Sequence, residues 1–429
     1  MKTMDFINHL KTYLSEEEIA LLMEALKEDN KHALILNTDK MSVDTLLTLY
    51  PSLKRHPIVD NAFIYDKNEL DLGKSIYHEL GCFYLQEPSA MIPAYLLSPK
   101  EDEIVLDLCA APGGKSMQAS FLMNNKGLII ANDISKNRAY AISNNAERLG
   151  RGNLLITNND FSLIYRQFNN YFDKIILDAP CSGSGMFRKE DKMWQDWTYQ
   201  KVIRCQEMQK QLISIAYQML KPGGTLLYST CSFSYEEDEE VVDYLLNNSD
   251  ATIGKIPASK YYYQSKNNGH GIHLLPFLFP GEGHYIALIN KPGEKKISNL
   301  KKDNNKTITT FTNGYTNEVK FGDFLYLNSY SFPLKNLNVI RYGVKVGQID
   351  KGEIRYDFHY AHFINNFDKI VDISLEKAKK YYQGESLPVS IEKGYVLLRY
   401  QNINIDIAKS DGRIIKNRLP KGLRKKFVD

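Results

Sequence analysis

The 429-residue chain reads as an α/β protein. It predicts a Rossmann-like core with a mostly parallel sheet and a terminal antiparallel hairpin, an N-terminal α+β region before it and β-rich modules after it. Three observations predict this architecture. Apolar runs alternate with amphipathic helical patterns through the middle of the sequence, the mark of a doubly wound sheet. A Gly-rich turn joins the first of those runs to its helix, at the edge where open sheets bind ligands. The last two runs are separated by Pro280-Gly281 rather than by a helix, which makes them an antiparallel pair.

The elements follow in order. "EIVLDL" (103–108) is the first strand, followed by the turn and the helical "KSMQASFLMNN". "GLIIAND" (127–133) leads into "SKNRAYAISNNAERLG", where Gly150 reads as a helix stop. "NLLITNND" (153–160) and "FDKIILDAP" (172–180) are two further strands. "RCQEMQKQLISIAYQML" is a long amphipathic helix ended by "KPGG", "GTLLYST" (224–230) a fifth strand, and "EEDEEVVDYLLNN" its helix. "HLLPFLFPGEGHYIALIN" (273–290) is the hairpin. These patterns divide the chain into an N-terminal region 1–95, a core 96–292, a lysine-rich linker 293–310, a small β-rich module 311–365 and a second module 366–429.

A composition of 43% hydrophobic and 24% charged residues is that of an ordinary globular protein. The net charge of +3 excludes a polybasic chain, but the charge is uneven. Residues 291–310 carry six Lys against two acids, and the last nineteen residues carry seven Lys/Arg against two Asp. Basic patches of this size suit phosphate contacts, and a solvated linker and tail have the same composition. The start "MKTMDFINHL" lacks a signal peptide's apolar core, and no run of about 18 apolar residues offers a membrane span. Five scattered cysteines without a CxxC pair argue against structural zinc and against a disulfide framework. The expectation is reduced thiols in a cytoplasm.

The turn "LDLCAAPGGKS" (106–116) matches neither the dinucleotide fingerprint nor the phosphate loop. Carboxylates at successive strand ends complete a crevice around it. Asp133 is placed to accept from ribose hydroxyls and Asp160 from an adenine amino group, while Asp178 ends the fourth strand. A lone Asp in such a place is usually a helix cap. Without a phosphate cradle, S-adenosylmethionine fits this series better than NAD. The expected cofactor set is Cys109, Ala110, Ala111, Pro112, Gly113, Gly114, Lys115, Asp133, Arg138, Asp160 and Asp178. No metal is expected. Lys115 orders the site, neutralises substrate phosphate, or points at water as a first-turn helix lysine.

Two cysteines stand at strand mouths, Cys181 in "DAPCSGSG" and Cys231 in "YSTCS". Both thiols are expected to face the crevice holding Asp178, with Ser182, Gly183, Ser184 and Gly185 leaving room for a flat substrate. Cys82 and Cys205 read as structural and Cys109 as packing beside the cofactor. Trp194 and Trp197 read as core packing more than as stacking platforms.

Together "DLCAAPGGK", "DAPCSGSG" and "YSTCS" resemble the Nop2/Sun family of RNA cytosine-5 methyltransferases, over residues 95–292. "LPKGLR" (419–424) and "FPGEGHYIALI" (279–289) resemble the bacterial branch that methylates small-subunit ribosomal RNA and ends in a PUA-like domain. The resemblance implies a cytoplasmic, monomeric enzyme that forms 5-methylcytosine in RNA, with 16S RNA or the 30S subunit as partner. It makes Cys231 the attacking thiolate and Cys181 the thiol for product release. The reverse assignment competes, because a Pro-Cys dipeptide supplies the nucleophile in DNA cytosine methyltransferases. Asp178 is expected to donate or share a proton with the ring. The same reaction on tRNA, and an assembly factor that keeps the fold without turnover, are the other readings.

Overall fold

The central sheet is built from the apolar runs of the sequence in the order doubly wound folds require. In a computed structural model, residues 2–188, 191–264, 269–295 and 317–427 are described. The core strands are β1 (Ile104–Asp107), β2 (Leu128–Asn132), β3 (Leu154–Thr157), β4 (Phe172–Asp178), β5 (Leu220–Thr230) and β6 (His284–Asn290). A further strand, β7 (Val339–Tyr342), lies beyond the lysine-rich linker. Spatial order is β6-β5-β4-β1-β2-β3-β7, with the short strand Thr252–Ile253 outside β6. Strands β5, β4, β1, β2 and β3 are mutually parallel. At one edge β6 runs antiparallel to β5 and pairs with Ile272–Leu274, the expected hairpin. At the other edge β7 runs antiparallel to β3, so the segment expected as a separate module at 311–365 contributes a strand to the core sheet.

The strands are buried on both faces because both are covered. Ile129, Ile156, Ile176 and Leu227 face one cluster, and Leu106, Ile130, Ile175 and Leu226 the other, all at or below 2% exposure. Helices α1 (Gly114–Leu122), α2 (Lys136–Leu149), α3 (Tyr199–Met219) and α4 (Glu239–Asn247) provide the cover. Gly150 ends α2 in the left-handed conformation, as its position predicted. "KPGG" does not form a separate turn: α3 stops at Met219 and β5 begins at Leu220, with a register shift against β4 absorbing the irregularity.

The N-terminal region holds helices Lys2–Leu10 and Glu16–Ala25 and a four-stranded antiparallel sheet. After the linker, strands within 317–356 form a four-stranded sheet and strands within 370–416 a five-stranded sheet with one helix, Leu375–Gln383. Most of the basic linker, residues 296–310, lies outside the described residues, as do residues 311–316 of the module after it.

Candidate active site

The carboxyl ends of β1 to β5 bring the predicted residues to one edge of the sheet. The turn after β1 is bound to the end of β2: Ala110 N–H donates to Asn132 O at 2.8 Å, and Ala111 N–H to Asp133 Oδ2 at 3.3 Å. Asn132 staples three strand ends, donating to Leu108 O and accepting from Thr157 Oγ1 and Asn159 N–H. Arg138 donates to Ala111 O at 2.8 Å and lies 3.6 Å from Asp133 Oδ2, bracing the turn from α2. Gly113 sits at φ +107°, and a Cβ there would meet Ile142 at 3.2 Å, so only glycine fits without strain.

Asp133 is 2% exposed and already accepts Ser135 N–H at 2.8 Å on Oδ1. A carboxylate has about four acceptor positions, so a lone pair on each oxygen is left for paired hydroxyls. Asp160 lies past the end of β3, exposed. It caps the helix Phe161–Gln167, accepting Ser162 N–H at 2.9 Å. Asp107, not singled out in the sequence, is 1% exposed, accepts Ser116 Oγ–H at 2.6 Å and has Oδ1 without a partner. Burial pushes its carboxyl up to about 7 against the Ser116 bond. Carboxylates converging without a phosphate cradle suit a cationic sulfonium nucleoside and disfavour a pyrophosphate. Cys109 packs against the sheet, and burial holds its thiol well above the ordinary range.

Asp178 is where the chemistry gathers. Lys115, only 7% exposed, donates from Nζ to Asp178 Oδ2 at 2.7 Å, which excludes the lysine pointing at water. Ser229 Oγ–H donates to Oδ1 at 2.7 Å, and His284 Nε2 stands 3.4 Å from the same oxygen. Burial alone would raise this carboxyl; Lys115 and His284 outweigh it and hold it well below the usual carboxylate range. Asp178 is therefore an ionised acceptor. Lys115 favours the charged form of this carboxyl.

The two predicted thiols meet. β4 and β5 pair in register, Asp178 opposite Ser229, so the loops leaving them run side by side. Cys181 Sγ and Cys231 Sγ are 3.2 Å apart, in contact and unbonded. The bond to Cys231, burial and the charge of Cys231 together raise the Cys181 thiol well above the ordinary range. That direction favours the protonated form of Cys181, beside Cys231.

One carboxylate clamps both loops. Glu237, fully buried, accepts from Ser182 N–H at 2.7 Å, Ser182 Oγ–H at 2.5 Å, Ser232 Oγ–H at 2.7 Å and Gln209 Nε2 at 3.1 Å. Gly185 N–H donates to Cys231 O at 2.7 Å, and a Cβ on Gly185 would stand 2.7 Å from that oxygen. Cys82 lies elsewhere and Cys205 stands on α3 beside Glu237, with burial pushing their thiols up to about 12 and about 11. Trp197 is 3% exposed, and both tryptophans pack edge-on against Phe6.

Comparison with known proteins covers 97% of the chain in one relative, and family models match three parts of it. Residues 94–290 match the model of the 16S rRNA methyltransferase RsmB/F family, residues 3–88 that of the N-terminal domain of 16S rRNA methyltransferase RsmF, and residues 368–425 that of the RsmF PUA domain. A ribosomal RNA small subunit methyltransferase F of Vibrio vulnificus (strain YJ016) is 30% identical over 459 residues, covering 97% of this chain and 96% of its own. The chain belongs to the RsmB/F methyltransferase family. The same-named protein of Shewanella woodyi (strain ATCC 51908 / MS32) is 30% identical over 90% of this chain and 89% of its own. A crystallised methyltransferase homolog protein from Pyrococcus horikoshii superposes at TM-score 0.57 with 30% identity, over 66% of this chain and 93% of its own. NSun6 from Pyrococcus horikoshii, crystallised with SFG, shares the fold at TM-score 0.62 and 23% identity, over 68% and 98%. As an RsmB/F member the chain is an RNA methyltransferase whose cofactor is S-adenosylmethionine, and its C-terminal sheet is a PUA domain. Fold, family and cofactor match the expectations from the sequence.

Proposed function

We propose that this chain methylates carbon 5 of a cytosine in 16S ribosomal RNA through a transient bond from Cys231. The observation that carries the reading is the pair of thiols in contact at 3.2 Å, at strand ends next to a carboxylate held ionised by a buried lysine. S-adenosylmethionine, when bound, supplies an electrophilic methyl group. The turn 109–115 and Arg138 would seat it, Asp133 would accept its ribose hydroxyls, and Asp160 its adenine amino group through the oxygen the helix cap leaves free.

Carbon 5 of cytosine is a weak nucleophile until a thiolate adds to carbon 6. Cys231 makes that bond, and Cys181, which retains its proton, is the donor beside it. Three of the Asp178 acceptor positions face Lys115, Ser229 and His284, so the remaining one takes the cytosine amino group. Lys115 has further N–H groups for the charge that develops on the ring. After methyl transfer the carbon-5 proton is lost to a base, the ring double bond reforms, and Cys231 departs as thiolate. The Cys181 S–H stabilises that leaving sulfur. The base must be flipped out of the RNA stack for carbon 6 to be reached.

The RNA is held by the N-terminal region 1–95 and the modules 311–365 and 366–429, joined to the core 96–292 by the basic linker 293–310. The enzyme acts as a cytoplasmic monomer on 16S RNA or the 30S subunit. No helix among the described residues is long and apolar enough to cross a membrane. Radiolabelled cofactor offered with 16S RNA, 30S subunits and tRNA in separate reactions tests the reading. Label at carbon 5 of a 16S cytosine, mapped by bisulfite sequencing, is the expected result. Label confined to tRNA, or at another ring position, overturns it.

A further inference from the structure

His284 opens β6 in the segment "GEGHYIAL", and the mechanism above leaves it without a role of its own. Its side chain is 6% exposed. Nδ1 lies 3.1 Å from Gly283 O, and Nε2 lies 3.4 Å from Asp178 Oδ1 with no hydrogen-bond partner. Both ring nitrogens therefore face acceptors, and a proton carried on Nε2 is directed at the Asp178 carboxylate. The other charges on this side of the sheet are committed. Glu282 pairs with Arg188 at 3.1 Å, and Glu87 accepts Glu282 N–H at 2.8 Å. Lys115 reaches the opposite oxygen of Asp178. Among the described residues, Gly283 O and Asp178 are the groups facing the imidazole.

Resting on the reading that Asp178 accepts the cytosine amino group, we propose that His284 is a positioning residue for cytosine activation. It acts through Asp178. With Ser229 it completes the donor set on Oδ1, so the carboxylate keeps one orientation and one acceptor position, on Oδ2, for the base. The 3.4 Å separation leaves the contact long until the base is bound, when the flanking donors tighten. A group this buried serves a second purpose in packing, and the choice of variants separates the two roles.

His284→Phe preserves an aromatic body and removes the donor; His284→Gln removes the ring and keeps an N–H within reach. If His284 positions Asp178, single-turnover methyl transfer falls about tenfold in His284→Phe, as expected for losing one hydrogen bond to a charged group. KM for RNA and for cofactor stays unchanged, and His284→Gln restores most of the rate. If the residue only fills space, the order reverses, with His284→Phe near wild type and His284→Gln impaired. That reversal overturns the proposal. Should His284→Phe not fold, His284→Met serves as the donor-free variant on the same criteria. A wild-type enzyme that labels no cytosine would instead sink the reading of the site itself, so the two failures are distinguishable.

Discussion

Replacing Glu237 by Ala tests how the two thiols are aligned. The carboxylate is fully buried and accepts four hydrogen bonds from three residues, two on the cysteine loops and one on α3. In Glu237→Ala the Ser182 and Ser232 hydroxyls, already 3.3 Å apart, can bond to each other. Ser182 N–H is left without an acceptor and the Gln209 amide keeps only its bond to Pro180 O, for a destabilisation of about 2 kcal/mol. The larger effect is on rate. Without the clamp the loops shift, and a displacement of about 1 Å at a reacting atom costs about a hundredfold. Denaturant unfolding followed by Trp194 and Trp197 fluorescence measures the first quantity, and single-turnover methyl transfer the second. Cofactor affinity should hold, because the turn 109–115 makes no recorded bond to Glu237. Glu237→Gln, with one acceptor oxygen and an NH2 group facing donors, should fall between the two. Methyl transfer by Glu237→Ala within about threefold of wild type would refute the idea that this carboxylate sets the thiol geometry.

Two other outcomes follow from titratable groups. Lys115→Met leaves Asp178 without its counter-ion; the carboxylate keeps 33% of its side-chain surface exposed, so stability falls by only about 1–3 kcal/mol. Methyl transfer should fall about a hundredfold, and stability should begin to be lost at a higher pH on acidification, because Asp178 no longer has a depressed titration. In the C-terminal sheet, burial raises the Asp406 carboxyl to about 7, against the bond from Tyr381. The folded form holds that proton more tightly than the unfolded chain, so its stabilising effect is complete below about pH 4 and is lost as pH rises to about 7. Thermal unfolding of Asp406→Asn should accordingly show a shallower decline between pH 4 and 7 than wild type.

Much of this was legible in the sequence for a simple reason. Strands buried on both faces need unbroken apolar runs, and "IVLD", "LIIAN" and "LLIT" supply them where the motifs require. The cysteines and Asp178 could be placed together because parallel strands put their carboxyl ends on one edge. What escaped depends on tertiary packing. Nothing in the acidic run "EEDEE" signals burial, yet Glu237, Asp238 and Glu239 are all fully buried. Strand β7 was hidden within the continuous run "VIRYGVKVGQI", which reads equally well as one strand of the later module; the structure splits it at Gly343, with φ +73°. The direction of Lys115 and the approach of His284 depend on distances no spacing rule encodes.

The central claim is that Cys231 bonds to the cytosine and Cys181 lets it go. Denaturing gel analysis of Cys181→Ala and Cys231→Ala, each incubated with cofactor and 16S RNA, tests it directly. The account predicts a slow-migrating protein–RNA band for Cys181→Ala, and neither band nor methyl incorporation for Cys231→Ala. A band that forms with Cys231→Ala and not with Cys181→Ala would reverse the assignment and contradict it.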